Sequence, residues 1–312
     1  MKSVFISILN FNGKKNTLEC LDSLRNIDTK NFKLTIIVID NASTDGSPSV
    51  ISNLIRSTSS GQISNLKFIQ NEKNLGFSGG QNSGIRYALS KGADYVLILN
   101  NDTYVDKSFI EELLKISERD NSIGILSPKI YFAPKFEYHK NRYSKDELGK
   151  IFWYAGGEMD WRNVIGRNRG VDEVDKGQFD KTGETSLATG CCMLLKKEVF
   201  DRVGMFDDKY FLYYEDADLT MRAKNKGFKV VYVPKSVIWH KNAGSAGGSG
   251  SSLQDYYITR NRMLFGFIHA SLRSKLALVK ESMKLLLKGR YWQKRGILDF
   301  YLGRLGRGSF DL

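Results

Sequence analysis

The fold of this chain is constrained most by an alternation of short apolar runs and helical segments in its N-terminal third. The apolar runs lie at residues 3–9, 34–39, 66–69 and 95–99. The second and the fourth run are apolar almost throughout, which is typical of strands that are covered on both faces of a sheet. Strands that alternate with helices predict an α/β fold with a parallel, doubly wound sheet.

Polar residues stand where these predicted strands end. In doubly wound sheets, ligands bind beyond the carboxyl ends of the strands, so these residues should face one crevice. The candidate binding residues there are Asn10, Asn12, Asp40, Asn41, Asn100, Asn101 and Asp102.

A glycine-rich stretch at 71–84 separates the second and fourth strand ends and contains Asn74, Gly76 and Gly80. Its glycines would allow a ligand to approach the backbone closely. They lack the spacing of a dinucleotide fingerprint, and they do not follow the first strand. The alternative is an ordinary turn at the start of a helix.

The alternation stops after residue 127, and an insertion begins at 128. It contains Trp153 and Tyr154, aromatic side chains that could stack on a sugar ring or simply pack inside the protein. A Gly/Ser-rich run at 243–252 predicts a lid or a linker. We therefore predict one domain at 1–255, with halves at 1–127 and 128–255, and a helical extension at 256–312.

Three acids, Glu215, Asp216 and Asp218, follow an aromatic and aliphatic run. Carboxylates beside bulky apolar groups lose solvation, which raises their pKa and suits them to proton transfer. The same residues would lie in the first turn of a predicted helix, where acids favour the helix dipole. Capping is therefore the structural alternative to a catalytic role.

The net charge of +13 is concentrated near the C-terminus, because residues 256–312 contain twelve basic residues and three acids. Leu276, Val279, Met283 and Leu286 form an apolar stripe that lysines flank. A basic amphipathic helix predicts contact with an anionic membrane surface, but packing on the protein's own core or a homo-oligomer contact fits equally. No nucleic-acid motif accompanies the charge, so no nucleic-acid partner is expected.

The compartment is predicted from what the chain contains. Three cysteines give no disulfide framework, and no run approaches the roughly 20 apolar residues of a membrane span. The N-terminal run is too short for a signal peptide. These features predict a cytoplasmic protein that rests at most on the inner face of the membrane.

Five ordered motifs together resemble the inverting glycosyltransferases of family 2, in particular the rhamnosyltransferase-like branch of bacterial cell-surface polysaccharide synthesis. They are VIDNASTDGS at 38–47, NEKNLGFSGGQNSGIRYAL at 71–89, LILNNDT at 97–103, GMFDDKYFLYYEDADLTMRAKNKGFKVVYVP at 204–234, and Trp239-His240. The resemblance implies a GT-A fold with a nucleotide-sugar donor on the carboxyl edge of the sheet.

The resemblance also implies roles for individual residues. Asp40 would contact the base of the donor, and Asp102 and His240 would hold Mn²⁺ or Mg²⁺, although Asn100 replaces the first acid of the family's Asp-x-Asp motif. Carboxylate, imidazole and phosphate oxygens suit either ion. Arg260 is a candidate for the donor phosphates, because its fork matches phosphate oxygens.

Asp216 matches the catalytic base of the family, which removes the proton of the acceptor hydroxyl. Glu215 would support it or bind that hydroxyl, and Asp218 would be a capping residue. Trp153, Tyr154 and Gly190 are the candidate acceptor-binding residues, and the acceptor would be a glycan or a lipid-diphosphate-linked sugar.

The expected reaction is metal-dependent, inverting transfer of L-rhamnose from dTDP-L-rhamnose to such an acceptor. A UDP-hexose donor is the first alternative. A non-catalytic module that binds nucleotide sugars or glycans is the second, although the retained acids argue against it.

Overall fold

The computed structural model of the chain describes residues 1–57, 65–139, 141–242 and 250–310. The Gly/Ser-rich run predicted to be a lid or linker falls largely on residues 243–249, which lie outside this part.

In chain order the strands are β1 (Lys2–Asn10), β2 (Phe32–Asp40), β3 (Leu66–Gln70), β4 (Tyr95–Asn100), β5 (Thr103–Val105), β6 (Ile123–Phe132), β7 (Phe152–Tyr154), β8 (Gly157–Asp160), β9 (Ile165–Asn168), β10 (Gly183–Glu184), β11 (Cys192–Lys196) and β12 (Lys229–His240). The helices are α1 (Lys14–Leu24), α2 (Ser47–Ser57), α3 (Gly76–Ser90), α4 (Phe109–Ser117), α5 (Lys197–Val203), α6 (Glu215–Asn225), α7 (Ser252–His269), α8 (Leu272–Lys288) and α9 (Tyr291–Tyr301).

The N-terminal half of the sheet is parallel, as the alternation predicts. β1 lies between β2 and β4 and is parallel to both, and β3 extends the sheet beside β2. The register places Asn10 opposite Asp40 and Leu9 opposite Asn100. The polar ends of these three strands therefore meet at one edge of the sheet.

The second half of the sheet is mixed. β11 is inserted between β4 and β6 and is antiparallel to both, while β12 is parallel to β6. β7 pairs with β6, and β8 and β9 form a separate two-stranded sheet in the predicted insertion. A mostly parallel central sheet with an insertion and a C-terminal helical extension confirms the predicted fold class.

Both faces of the sheet are covered by helices. Val4, Ile6 and Ile8 of β1 pack on one side with α1, α2 and α4, whereas Phe5 packs on the other side with α3, α5 and α6. Because successive side chains of a strand point to opposite faces, both sets must be apolar. This explains the nearly continuous apolar runs in the sequence.

The C-terminal helix α8 buries a face different from the predicted stripe. Leu278 is 3% exposed, whereas Leu276 and Met283 of the stripe are 63% and 56% exposed. Val279 and Leu286 lie half-buried at the boundary. α8 is apolar over more than one face, so periodicity alone did not identify its packed side. No helix within the described ranges has an apolar stretch long enough to cross a bilayer.

Candidate active site

Asp40 and Asn10 are buried at the edge of the sheet where the parallel strands end. The Nδ2 of Asn10 donates to Oδ1 of Asp40 at 2.8 Å, and the N–H of Ser43 donates to Oδ2 at 2.9 Å. Neither Asp40 nor Asn10 has any exposed surface. The oxygens of Asp40 hold the turn after β2, and its contact with the donor base remains a prediction.

Asn41 ties the end of β2 to the start of α3. Its Nδ2 donates to Oδ1 of Asn74 at 2.8 Å and to the Gly76 carbonyl at 3.0 Å, while its Oδ1 accepts from the Leu75 N–H at 3.1 Å. Asn12 is exposed beside this network, and its Oδ1 accepts from the Thr44 N–H. Of these predicted donor-binding residues, Asn12 and the half-buried Asn74 are accessible, whereas Asn41 is buried.

The glycines at the start of α3 make room for protein atoms. A Cβ on Gly76 would lie 2.4 Å from the carbonyl oxygen of Phe211, and one on Gly80 would lie 2.4 Å from Leu9. The N–H groups of Phe77 and Ser78 donate to that Phe211 carbonyl at 2.6 and 3.2 Å. Close packing against Phe211 and Leu9 explains why glycine stands at positions 76 and 80. The contact of these glycines with the donor remains a prediction.

Asp102 and His240 meet beyond the ends of β4 and β12. The Nε2 of His240 lies 3.0 Å from Oδ1 of Asp102, and both side chains are almost buried. The indole ring of Trp153 packs against the imidazole of His240 with a centroid distance of 4.6 Å. Trp153, a predicted acceptor-binding residue, is half-buried and lies beside the predicted metal ligands.

The side chains of Asp102 and His240 are of the kinds that bind divalent cations. The Nδ1 of His240 is buried and has no hydrogen-bond partner in the structure, so Nε2 is the nitrogen that its surroundings engage. The Nε2 of His240 and the Oδ1 of Asp102 are within hydrogen-bond distance, and the same two atoms are the ones that would hold a cation. No group of three or more His, Cys, Asp or Glu side chains suited to a metal occurs in the described residues. Two protein ligands fit an ion that takes its other ligands from diphosphate and water.

Asn100 and Asn101, the rest of the predicted motif, are half-buried at the same edge. The N–H of Asn100 donates to the carbonyl of Cys191 at 2.8 Å, and the Nδ2 of Asn101 donates to Oγ1 of Thr17 at 2.9 Å. Asn100 thereby joins the end of β4 to the segment that precedes β11.

Asp216 lies in the first turn of α6 and is half-buried. Its Oδ2 accepts from the N–H of Gly190 at 2.8 Å, and its Oδ1 accepts from the N–H of Ala217 at 2.7 Å. Burial raises its pKa, against these two hydrogen bonds. Gly190, predicted to bind the acceptor, instead uses its N–H to orient Asp216. Since Cys191 accepts from Asn100, two adjacent residues link the carboxylate to the 100–102 motif.

The surroundings of Glu215 favour its uncharged form. It is 5% exposed, and its Oε2 has no hydrogen-bond partner in the structure. Burial, with the neighbouring charge of Asp216, raises the pKa of Glu215 well above its usual value. A protonated carboxyl can donate a hydrogen bond, whereas a carboxylate can only accept.

Asp218 does not cap the helix, which corrects the predicted structural role. Its carboxylate accepts from Nε of Arg222 at 2.7 Å and lies 2.8 Å from Nε2 of His269. Burial opposes its ionisation, but the hydrogen bond from His269 and the charge of Arg222 outweigh burial and lower its pKa. Asp218 thus joins α6 to the last turn of α7.

Two side chains that are predicted to contact ligands are buried. Tyr154 is 1% exposed and donates its hydroxyl to the Leu187 carbonyl at 2.8 Å. Arg260 has no exposed surface, and its Nη2 donates to the carbonyls of Lys209 and Tyr210. Both side chains are engaged inside the protein, and their contacts with a sugar or a phosphate remain predictions. Asn261 was not identified from the sequence, although the adjacent pair Arg260-Asn261 in a helix rich in aromatic residues was a usable signal.

The sequence profile described as "Glycosyl transferase family 2" matches residues 3–204 of the chain. A low-salt glycan biosynthesis hexosyltransferase, Agl10 of Haloferax volcanii, is 28% identical over 64% of this chain and 59% of its own length. An N-acetylglucosaminyl-diphospho-decaprenol L-rhamnosyltransferase of Mycobacterium tuberculosis is 25% identical over 70% of each chain. The dTDP-rhamnosyl transferase RfbF of Shigella flexneri is 24% identical over 84% of this chain and 79% of its own.

Solved structures share the fold at low sequence identity. The mannosyltransferase PcManGT of Pyrobaculum calidifontis, solved with GDP-Man and Mn²⁺, superposes with a TM-score of 0.58 at 14% identity, over 99% of this chain and 76% of the other. This likeness supports the GT-A architecture.

The raised pKa of Glu215 predicts how stability changes with pH. The folded state binds the proton of Glu215 more tightly than the unfolded state, so this contribution is complete below the ordinary pKa of 4.5 and is lost as pH rises towards the folded pKa. Glu215→Gln imitates the protonated form at every pH. We expect it to be more stable than wild type at pH 8, with a smaller gain near pH 5.

Denaturant unfolding at both pH values measures this difference. Glu198→Gln is the matched control, because Glu198 is exposed on α5 and its variant should differ from wild type equally at both pH values. An equal effect of Glu215→Gln at pH 5 and pH 8 would contradict the raised pKa.

Proposed function

The chain belongs to glycosyltransferase family 2, and from this we propose that it transfers L-rhamnose from dTDP-L-rhamnose, with inversion, to a hydroxyl group of a lipid-linked or growing cell-surface glycan. The observation that carries the proposal is Asp216, a carboxylate of raised pKa that Gly190 and Cys191 link to the 100–102 motif. Two relatives whose names specify rhamnosyl transfer support the choice of sugar.

Asp216 is the proposed general base. It accepts the proton of the acceptor hydroxyl as that oxygen forms a bond to the anomeric carbon, while the bond to the nucleoside diphosphate breaks with its electron pair on the diphosphate. The N–H groups of Gly190 and Ala217 keep the carboxylate oriented. One displacement inverts the anomeric centre, so no protein nucleophile is needed.

Glu215 is proposed to support this base. Beside the charge of Asp216, a second buried carboxylate would be repelled, and the uncharged form avoids that repulsion. A protonated Glu215 leaves Asp216 as the one of the two that can take a proton. The two acids are adjacent in the same helix turn, so the difference between their proposed roles follows from the deeper burial of Glu215.

Asp102 and His240 are the proposed protein ligands of Mn²⁺ or Mg²⁺. When bound, the ion would offset negative charge that develops on the leaving diphosphate. The contact of 3.0 Å between the two side chains and the unpartnered Nδ1 of His240 support this assignment. Solved neighbours with the same fold contain Mn²⁺.

The base assignment predicts the effect of Asp216→Asn. The amide keeps the shape of the side chain but cannot accept the proton, so we expect kcat to fall by about 10²- to 10⁴-fold while donor binding is retained. Steady-state transfer assays and donor titration measure the two quantities. Asp201→Asn removes an exposed acid on α5 and serves as the control. Near-normal kcat in the Asp216 variant would reject the assignment.

The donor and metal assignments predict thermal shifts. dTDP-L-rhamnose should raise the melting temperature by a few degrees, and by more when Mn²⁺ is present, because a ligand that binds only the folded state stabilises it. His240→Ala should lose the Mn²⁺-dependent increment, whereas His139→Ala, which changes a half-exposed histidine, should keep it. Differential scanning fluorimetry measures these shifts. A larger shift with a UDP-hexose would reassign the donor, and an unchanged increment in His240→Ala would reject the metal ligand.

We also propose that the outer face of α8 contacts an anionic membrane surface, where a lipid-linked acceptor would lie. Leu272, Leu276, Met283 and Leu287 are each more than half exposed, and their spacing places them on one side of the helix. Exposed basic side chains on α8, among them Lys280 and Lys284, flank this face. Each cation near anionic lipid contributes about 1 kcal/mol, and the apolar side chains add burial.

The α8 proposal predicts salt-sensitive binding to vesicles. Wild type should pellet with phosphatidylglycerol vesicles more than with phosphatidylcholine vesicles. The double variant Leu276→Gln/Leu287→Gln should pellet less than wild type, whereas Val50→Gln, at an exposed apolar position on α2, should not. Vesicle co-sedimentation measures this. Equal pelleting of the double variant and wild type would reject the membrane contact. A dimer lost in the double variant would assign the face to a second copy.

A further inference from the structure

The segment that leads into the candidate base has an unfavourable backbone. Phe211, Tyr213 and Tyr214 have φ angles of 64°, 69° and 72°. This left-handed region is uncommon for residues with a side chain, and each such residue costs of order 1–3 kcal/mol. Glu215 and Asp216 follow directly, so contacts that hold this segment also set the direction in which α6 begins.

The side chain of Asn261, in α7, forms hydrogen bonds with this segment. Its Nδ2 lies 2.8 Å from each of the carbonyl oxygens of Tyr210, Leu212 and Tyr213. The side chain is fully buried. One amide group therefore contacts three carbonyl groups within four successive residues. The Tyr210 carbonyl precedes the first left-handed residue, and the carbonyls of Leu212 and Tyr213 lie within the left-handed stretch.

Arg260 fixes the amide of Asn261 and adds a second set of contacts. Its Nε donates to Oδ1 of Asn261 at 2.9 Å, which leaves the NH₂ group of the amide facing the carbonyls. Its Nη2 donates to the carbonyls of Lys209 and Tyr210 at 3.2 and 3.0 Å. The guanidinium lies over the rings of Tyr256 and Tyr257, 5.3 and 5.0 Å from their centroids.

The start of α3 binds the segment as well. The carbonyl of Phe211 accepts from the N–H groups at the start of α3, while the Phe211 ring stacks on Tyr257 of α7 with a centroid distance of 5.1 Å. The segment is thus fixed between α3 and α7. The contacts from α7 involve the carbonyls next to the left-handed residues, so they oppose relaxation to an ordinary conformation.

We propose that Arg260 and Asn261 are positioning residues that hold residues 209–214, three of which are left-handed, and so aim Asp216 at the acceptor hydroxyl. The inference rests on the proposed function, because it assigns Asp216 as the base. It gives the buried Arg260 a role in turnover without contact with the donor.

The test compares Asn261→Ala with Arg262→Ala in the full chain. Arg262 lies on the same helix and also makes several hydrogen bonds, to Glu281 and to the Asn163 carbonyl, but none of these reaches the 209–214 segment. Both variants lose comparable contacts. We expect kcat of Asn261→Ala to fall by about 10²-fold, the cost of a small misplacement of a catalytic group, with donor affinity unchanged. Arg262→Ala should keep kcat close to wild type.

Hydrogen–deuterium exchange provides a readout that does not need activity. Amides of residues 209–218 should exchange faster in Asn261→Ala than in Arg262→Ala at equal distance below each melting temperature. If Asn261→Ala does not fold, Arg260→Lys keeps the charge and most of the volume but loses the forked contact, and the same results are expected. Equal exchange in the two helix variants, or a loss of donor affinity in proportion to kcat, would overturn the proposal. Absence of transfer by wild type with every nucleotide sugar would reject the proposed function alone, since exchange still decides the positioning role.

Discussion

The parallel register of β1, β2 and β4 is the constraint on which the rest of the site depends. It brings the last residues of three strands, Asn10, Asp40 and Asn100, to one edge of the sheet although they are distant in sequence. The hydrogen bonds of Asp40 with Asn10 and Ser43 then fix the turn after β2. Asp102, His240 and Asp216 occupy the edge that this register creates.

The three acids of the site, Glu215, Asp216 and Asp218, differ in their burial and in their hydrogen-bond partners. Asp216 keeps partial access to solvent and two backbone hydrogen bonds, Glu215 is buried with an unpartnered oxygen, and Asp218 is buried with cationic partners. Burial raises the pKa of Glu215 and of Asp216, whereas His269 and Arg222 lower that of Asp218. The three acids within four residues therefore have different surroundings, and Asp216 is the most accessible of them.

The fold was predictable because the periodicity of apolar residues and the alternation of strands with helices are strong local signals. Both gave correct predictions for the parallel strands. Individual contacts were less predictable. Trp153 and Tyr154 are adjacent in a strand, so only one of them could face the crevice, and the sequence did not specify which. Arg260 was expected to bind phosphate because its guanidinium fork matches phosphate oxygens, but backbone carbonyls and tyrosine rings surround it here. Asp40 was assigned by resemblance, while its enclosure by Asn10 and Ser43 depends on side-chain packing.

The position of α7 in the chain has a consequence for the order in which the protein is completed during synthesis. The acids at the start of α6 leave the ribosome before the helix that binds the segment in front of them. Until α7 has emerged and packed, residues 209–214 lack the amide and guanidinium contacts that offset their unfavourable backbone. A nascent chain can therefore complete the parallel sheet before the segment in front of α6 is fixed, and the packing of α7 is a later step than the formation of the sheet.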